Sequence, residues 1–250
     1  MTQRFKKRYP SVKRVSAAEH QGMVREIFTS IPKRYDFLNR VLSLHRDVAW
    51  RRFAVERMAF FSTQRLLDLA TGTADLALEA ACRYPRIEVV GLDLVREMMV
   101  IGARKILRAK MEDHIRLLQG DAVHLPFADR CFDTVSMAFG IRNIPERLAA
   151  LKEMTRVCVP GGRVLILEMH YPQRPLLQGV YRLYLKAVLP CVARAFSRNP
   201  GAYNYLSDSI IHFPSPPAFA RLMARAGLTE ITQYPLTLGT TYLHVGIKRA

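Results

Sequence analysis

Cysteine is scarce in this sequence, and the few cysteines form no recognisable pattern. They are widely separated, and no two of them make a CxxC pair. Their positions are Cys82, Cys131, Cys158 and Cys191. This spacing predicts neither a zinc site nor a disulfide framework, and it suits a protein of a reducing compartment.

Long apolar runs are also lacking. No uninterrupted run approaches the ~20 residues that a membrane-spanning helix needs. The first residues contain no hydrophobic signal core, and they are basic and free of acids up to Glu19. We therefore expect a basic, disordered arm over residues 1–18, and an organelle transit peptide is the alternative that this composition leaves open.

Acidic residues are too few to balance the basic ones, and the net charge is +17 at pH 7. Such a charge indicates an anionic partner, either a nucleic acid or a membrane surface. Residues 173–200 contain no acid and combine Arg174, Arg182 and Lys186 with leucine, valine and tyrosine. A basic amphipathic segment favours an anionic membrane surface, and a core helix with a solvated basic face is the alternative.

What the sequence does contain is an alternation of strand and helix patterns from residue 65 to residue 170. Five short apolar strands separated by segments of helical spacing predict a parallel sheet with helices on both faces. The helix at 145–159 is predicted to end at Pro160-Gly161-Gly162. Residues 231–239 and 241–248 add two strands, and the tight turn between them makes them antiparallel.

We therefore predict a Rossmann-like α/β fold, in which a mostly parallel seven-stranded sheet ends in an antiparallel hairpin. Class I methyltransferases that use S-adenosylmethionine have this pattern. One domain is expected over residues 19–250. Its predicted parts are a helical cap (19–60), a cofactor-binding core (65–170), a lid or membrane-facing insertion (171–214) and a final helix and hairpin (215–250).

The turn after the first strand is poor in glycine. Residues 66–77, LLDLATGTADLA, read as a strand, a turn of small residues and the start of a helix. In an open α/β sheet a ligand binds beyond the carboxyl ends of the strands. Gly72 is the only glycine of this turn, so the GxGxxG pattern of dinucleotide folds is missing. The turn therefore favours a ligand without a phosphate, and S-adenosylmethionine is one.

Acidic residues follow the next two strands. Asp93 comes roughly 20 residues after Gly72, a spacing at which a carboxylate at a strand end can accept both ribose hydroxyls. Asp121-Ala122 ends the third strand, where an acid meets the adenine amino group. A helix cap at Asp93 and a turn aspartate at Asp121 are the alternatives. Because they occur in order on consecutive strand ends, the three features together favour a cofactor site.

Four segments resemble the ubiquinone/menaquinone biosynthesis C-methyltransferase family, whose members are class I enzymes that use S-adenosylmethionine. They are RYDFLNRVLSLHRDVAWRR (34–52), SMAFGIRNIPERLAALKEMTRVCVPGGRVLILE (136–168), NYLSDSI (204–210) and LGTTYLHVGIK (238–248). The YDFLN and FGIRN segments are more specific than the turn around Gly72, which many methyltransferases share. The resemblance covers roughly residues 20–248.

The resemblance implies methylation of a ring carbon of a polyprenylated quinol. That carbon becomes nucleophilic when a ring hydroxyl loses its proton, and a phenol has a pKa of about 10. We assign to Arg142 the stabilisation of the phenolate, and to Asn143 the holding of a hydroxyl or a water. A structural ion pair between Arg142 and Glu146 or Glu153 is the alternative. His45 and His170 are candidates for taking the proton, although a lone histidine is more often structural.

The predicted cofactor, S-adenosyl-L-methionine, is assigned to residues at the strand ends and in the cap. The tyrosine of the cap offers an aromatic face to a sulfonium. The assigned residues are Tyr35, Ala70, Thr73, Asp93, Leu94, Asp121, Ala122 and Ala138.

Three segments depart from the family pattern. The usual GGTGD turn reads TGTAD at 71–75, Ala138 stands where a serine usually precedes FG, and the usual EFSKP reads EMHYP at 168–172. These departures leave open a methyltransferase for another small aromatic or lipid, or an inactive relative. The charge leaves open an RNA methyltransferase, but we find no RNA-binding module and predict no nucleic-acid partner.

Charge and resemblance together predict the protein's surroundings. We expect a cytoplasmic enzyme that is peripheral on the inner face of the membrane and acts on a polyprenylated quinol. A homodimer is left open.

Overall fold

The computed structural model describes residues 9–12, 14–30, 32–188 and 201–249. Three helices precede the sheet, and most of the later strands are separated by helices. The helices are α1 (Ala17–Ser30), α2 (Pro32–Leu42), α3 (Arg46–Val55), α4 (Asp75–Arg83), α5 (Arg96–Arg108), α6 (Arg147–Val157), α7 (Pro175–Leu183), α8 (Gly201–Ile211) and α9 (Pro216–Arg225). The strands are β1 (Arg65–Leu69), β2 (Glu88–Asp93), β3 (Ile115–Gln119), β4 (Phe132–Ala138), β5 (Cys158–Met169), β6 (Leu228–Leu236) and β7 (Thr241–Lys248).

The strands form one seven-stranded sheet in the order β3-β2-β1-β4-β5-β7-β6. Strands β1 to β5 run parallel, and β7 is antiparallel to both of its neighbours. This confirms the predicted fold class, including the antiparallel end. The chain progresses in one direction from β1 to β3 and in the other from β4, so a crevice opens beyond the carboxyl ends of β1 and β4.

Strand β1 shows why the sheet is buried on both faces. Its neighbouring residues Leu66 and Leu67 point to opposite faces and are both fully buried, each in a different apolar cluster. A continuous apolar run is therefore what this strand needs. A third cluster joins α1 to the π-helical turn after α7 and to α8, with Ile27, Leu185 and Tyr205 among its members.

The boundary between α6 and β5 differs from the prediction. Helix α6 ends at Val157, and β5 begins at Cys158 and runs through Pro160-Gly161-Gly162. The pairing with β4 shifts register here, from Phe132 opposite Cys158 to Thr134 opposite Arg163. Gly161 has φ +75°, and a Cβ on Gly162 would lie 2.6 Å from the carbonyl oxygen of Asp133. These glycines therefore build an irregular strand rather than a helix stop.

The arm that we expected to be disordered is described only from Tyr9 onward, without Lys13. Tyr9 is buried in the third cluster. The backbone N–H of Val12 donates to Asp208 Oδ2 at 2.8 Å, and the hydroxyl of Ser11 donates to Oδ1 at 3.1 Å. These residues therefore pack on α8, which departs from the expectation of disorder for this part of the arm. Residues 1–8 lie outside the described residues.

Candidate active site

A cavity of about 400 Å³ opens beyond the carboxyl ends of β1, β2 and β4. Its floor comes from the turns after these strands, and α1 covers it through Ala17, Gln21, Val24 and Phe28. Of the residues that we assigned to the cofactor, all except Thr73 line it. They are Tyr35, Ala70, Asp93, Leu94, Asp121, Ala122 and Ala138.

Asp93 presents a buried carboxylate at the end of β2. It accepts the backbone N–H of Gly72 at 2.7 Å through Oδ2 and that of Val95 at 2.8 Å through Oδ1. Burial raises the pKa of Asp93, and these backbone donors oppose the rise. Because each carboxylate oxygen has two lone pairs, the group can still accept hydroxyl donors from the cavity.

Asp121 joins the floor of the cavity to its cover. Its Oδ1 accepts the backbone N–H of Val123 at 3.0 Å, which is the turn geometry that we named as the alternative for this residue. Its Oδ2 accepts the side-chain amide of Gln21, on α1, at 2.8 Å. Helix α1 therefore reaches the position at which an acid would meet an adenine amino group.

The turn after β1 holds several residues in the left-handed region. Ala70, Gly72 and Ala74 have φ values of 49°, 56° and 63°. Two of the three are alanines, which disfavour this region by roughly 1–2 kcal/mol relative to a right-handed residue. Backbone strain of this kind concentrates at functional sites, where the surrounding structure enforces it.

Thr71, which replaces a glycine of the family turn, turns its side chain away from the cavity. Its hydroxyl donates to Asp68 Oδ2 at 2.7 Å, and Ser136 donates to Oδ1 at 2.9 Å. Burial raises the pKa of Asp68 to about 6, and the two hydroxyl donors limit the rise. The substitution thus supplies a partner for a carboxylate buried beneath the turn.

Thr73 does not line the cavity. Its hydroxyl donates to Asp36 Oδ1 at 2.6 Å, and Lys105 Nζ lies 3.0 Å from Asp36 Oδ2. The residue therefore fastens α2 to the turn and to α5, and it supports the cap that carries Tyr35. Sequence spacing alone placed it at the turn but did not reveal this partner.

Arg142 and Asn143 form a short 3₁₀ turn after β4. The chain turns sharply there, because Phe139 has φ 57° and a Cβ on Gly140 would lie 2.6 Å from Ala70 Cβ. Asn143 lines the cavity, but Arg142 does not. The two residues therefore have different positions, although the sequence places them side by side.

Arg142 lies in an ion pair, although not with the partners that the sequence suggested. Its Nη1 lies 2.6 Å from Glu168 Oε1, on β5, and donates to the carbonyl of Phe139 at 2.7 Å. Glu153 instead accepts from Arg156 on its own helix. Burial is the largest influence on the pKa of Arg142 and lowers it, but the charge and hydrogen bond of Glu168 together with Tyr35 and Tyr205 outweigh burial, so the net direction is upward.

Besides Glu168, the surroundings of Arg142 contain two tyrosines and a second cation, Arg147, whose Nη2 donates to the carbonyl of Arg142 at 3.1 Å. Tyr35 and Tyr205 lie within electrostatic reach of the Arg142 guanidinium. Burial raises the pKa of both phenols, and the charge of Arg142 opposes the rise. Arg142 Nε is buried and has no hydrogen-bond partner among the residues that the structure describes. A cation with a spare donor thus lies beside the aromatic wall of the cavity.

The two histidines suggested as proton acceptors are not at the cavity. His45 is exposed at the start of α3, and His170 is buried against His244 on β7. Another histidine, His124, lines the cavity. His20, on α1, reaches the site indirectly, because its Nε2 lies 2.8 Å from the hydroxyl of Tyr205. Tyr205 donates in turn to Asn143 Oδ1 at 3.0 Å. Sequence reasoning missed His20, and the quoted NYLSDSI segment, which contains Tyr205, was the only signal for its partner.

Comparison with known proteins gives one consistent result. The model of the ubiE/COQ5 methyltransferase family matches residues 14–248. The chain is 43% identical over 226 residues to a ubiquinone/menaquinone biosynthesis C-methyltransferase from Geotalea daltonii, covering 90% of this chain and 96% of that protein. It is 44% identical over 227 residues to a demethylmenaquinone methyltransferase from Deinococcus radiodurans, covering 90% and 92%.

Solved structures match at the level of the fold. A phosphoethanolamine N-methyltransferase from Haemonchus contortus, solved with S-adenosylhomocysteine, has a TM-score of 0.65 at 16% identity, covering 97% of this chain and 62% of that one. A SAM-dependent methyltransferase from Aquifex aeolicus has a TM-score of 0.58 at 13% identity, covering 94% and 99%.

Proposed function

The chain belongs to the ubiE/COQ5 methyltransferase family, and from this premise we propose that it methylates a ring carbon of a polyprenylated quinol. The predicted family and enzyme class are thereby confirmed. The observation that carries the proposal is the cavity beyond β1, β2 and β4, in which a buried acid, an aromatic cap residue and Asn143 converge.

The residues of the cavity fit S-adenosylmethionine. Asp93 is a buried carboxylate with lone pairs to spare for two hydroxyls, and Asp121 lies by the next strand end. Leu94 and Ala122 provide apolar wall, and Tyr35 offers an aromatic face that suits a sulfonium. When bound there, S-adenosylmethionine supplies an electrophilic methyl group.

The protein's part in the chemistry is to favour the anionic form of the substrate. A ring hydroxyl with an ordinary pKa of about 10 must pass its proton to water before the neighbouring carbon becomes a nucleophile. The charge of Arg142, close to Tyr35, lowers the free energy of an anion at the aromatic wall of the cavity. Asn143 touches the substrate and holds its oxygen. Arg142 acts electrostatically, without contact.

A polyprenylated substrate resides in a bilayer, so the enzyme has to approach one. Leu176, Val180 and Leu183 of α7 are 84%, 65% and 65% exposed and recur at helical spacing. The opposite side packs inward through Tyr181 and Leu185. No acidic residue occurs in 171–188. Apolar exposure with basic flanks suits an anionic lipid surface, which we propose as the partner of α7; residues 189–200 lie outside the described residues.

Among the described residues, no helix combines the length and apolar composition needed to cross a bilayer.

The test of the proposed function is methyl transfer from labelled S-adenosylmethionine to chemically reduced, detergent-dispersed quinols. Demethylmenaquinol and its benzoquinol counterpart are offered separately, and Asp93→Ala serves as the variant expected to lose cofactor binding. Label in either quinone product is the expected result. Cofactor binding without label in either product would show that the acceptor belongs to another chemical class.

A further inference from the structure

A buried hydrogen-bond chain crosses three elements and ends at the cavity. His20 Nε2 on α1 lies 2.8 Å from the hydroxyl of Tyr205 on α8, and that hydroxyl lies 3.0 Å from Asn143 Oδ1. His20 and Tyr205 are each 3% exposed. Of the three, only Asn143 lines the cavity. The hydrogen-bond chain therefore runs from the protein interior to the side chain of Asn143, which faces the cavity.

The directions of these hydrogen bonds follow from the partners. The Asn143 Nδ2 lies 3.5 Å from the carbonyl oxygen of Phe139, a contact that suits a donor and would repel an oxygen. Asn143 Oδ1 therefore faces Tyr205 and accepts from it. A tyrosine has one proton, so its oxygen must accept from His20, which requires the tautomer that carries hydrogen on Nε2.

The environment of His20 favours the neutral imidazole. Burial lowers its pKa, the charge of Arg147 lowers it further, and the charge of Asp208 opposes them. Arg147, Asp208 and the neutral Tyr205 are the titratable groups that influence it. The hydrogen bonds therefore all point in one direction: His20 donates to Tyr205, and Tyr205 donates to Asn143.

We propose that His20 and Tyr205 are positioning residues that orient the amide of Asn143, so that its N–H group rather than its oxygen is directed at the ring oxygen of the substrate. The proposal rests on the proposed function, because it assigns Asn143 the task of donating to a phenolate. An amide whose oxygen is already engaged cannot turn over and offer that oxygen. A donor fixed in this way favours the anion over the neutral phenol, since the anion is the stronger acceptor.

The orientation also depends on the cover of the site. The same helix that carries His20 donates through Gln21 to Asp121 at 2.8 Å. By covering the cavity, α1 therefore supports Asn143 through His20 and Tyr205, and it supports Asp121 through Gln21.

The test compares Tyr205→Phe, His20→Leu and His20→Gln with the unchanged protein. Tyr205→Phe and His20→Leu should lower kcat for the quinol by about 10-fold or more, since loss of one oriented donor costs up to 10²–10³ in kcat. The dissociation constant of S-adenosylmethionine should stay within about twofold. His20→Gln should recover most of the activity, because its amide N–H can occupy the place of the imidazole Nε2–H.

A double-mutant cycle distinguishes an effect of Tyr205 that acts through Asn143 from a general disturbance of the fold. If Tyr205 acts through Asn143, then Tyr205→Phe should cost little further kcat in an Asn143→Ala background. Penalties that multiply in the double variant would overturn the proposal, as would an unchanged kcat in Tyr205→Phe. Tyr84→Phe is the matched control, because it removes a partly buried hydroxyl that donates to the carbonyl of Val55 at 3.2 Å, and neither residue lines the cavity.

A readout that needs no turnover distinguishes this proposal from the proposed function. The side-chain amide resonances of Asn143 should shift in Tyr205→Phe and His20→Leu and stay in place in Tyr84→Phe. If the unchanged protein methylates neither quinol, the proposed function fails while this spectroscopic result still decides the orientation of Asn143. Resonances that do not respond to Tyr205→Phe would refute the orienting role.

Discussion

At the scale of single residues, the charge around Arg142 is only partly balanced. Glu168 is fully buried and pairs with Arg142, and its charge also reaches Arg147. Arg142 Nε and Arg147 Nε have no hydrogen-bond partner among the described residues. Removing two cations from water with only one carboxylate to pair them costs free energy, unless an anion binds beside them. A phenolate beside Tyr35 would be such an anion.

Replacing Arg142 tests this assignment. We expect Arg142→Ala to lower kcat by about 100-fold or more, while the dissociation constant of S-adenosylmethionine changes little, because Arg142 does not line the cavity. Methyl transfer and equilibrium binding of the cofactor are the two measurements. A variant that loses cofactor affinity instead would contradict the role that we assign to Arg142.

The simple substitution also leaves Glu168 without its partner, which costs about 3–5 kcal/mol for a buried pair. Arg142→Met combined with Glu168→Gln removes both charges and keeps a carbonyl acceptor for one of the two backbone N–H groups that donate to Glu168, those of Arg142 and Met169. We expect this pair of changes to have a higher melting temperature than Arg142→Ala and to remain inactive. Recovered activity would show that the arginine is structural.

At the scale of elements, two histidines join β5, β7 and the segment before α9. Gln233 donates to His244 Nδ1 at 3.1 Å, His244 Nε2 lies 2.9 Å from His170 Nε2, and His170 Nδ1 lies 3.1 Å from the carbonyl of Pro214. One set of protons satisfies every contact, and in it both rings are neutral. A further proton on either ring would set two N–H groups against each other.

This network predicts a loss of stability in mild acid. Burial lowers the pKa of both imidazoles from the ordinary 6.5, and for His244 the charge of His170 adds to the effect. Below pH 6.5 the two imidazoles bind protons in the unfolded chain but stay neutral in the folded protein until the pH falls further. The free energy of unfolding should therefore fall as the pH falls, by about 1.4 kcal/mol per imidazole for each pH unit.

Denaturant titrations between pH 7.5 and 5 would measure this slope. His170→Leu combined with His244→Phe should flatten it, whatever the absolute stability of that variant. His124→Gln is the control, because His124 is exposed and should leave the slope unchanged. An equal slope in all three proteins would assign the acid sensitivity to other groups.

The elements that the sequence predicted well are those encoded by local pattern. The apolar run of β1 and the helical spacing of α5 specify their own structure, and the parallel order then brings Asp93 and Asp121 to one edge. The side-chain contacts that the sequence did not predict join residues that are far apart along the polypeptide. His20 and Tyr205 are separated by 185 residues, and their pairing depends on how α1 and α8 pack. Local spacing contains no trace of such a contact.

At the scale of the whole molecule, the net charge of +17 and the exposed face of α7 both favour the membrane surface that we propose as a partner. Charge draws a basic protein to an anionic surface, and exposed leucine and valine side chains then gain by entering the lipid. We expect Leu176→Ser/Val180→Ser/Leu183→Ser to weaken binding to vesicles of phosphatidylcholine and phosphatidylglycerol by more than about 10-fold. Co-sedimentation measures the binding.

The control is a second exposed apolar patch, on another helix. Val100 and Leu107 on α5 are 43% and 64% exposed, and Val100→Ser/Leu107→Ser should leave vesicle binding unchanged. Because the three residues of α7 point outward, their replacement should also spare methyl transfer to a detergent-dispersed quinol. Binding that survives the α7 changes, or that fails equally with the α5 changes, would mean that charge alone holds the protein at the surface and that α7 has another partner.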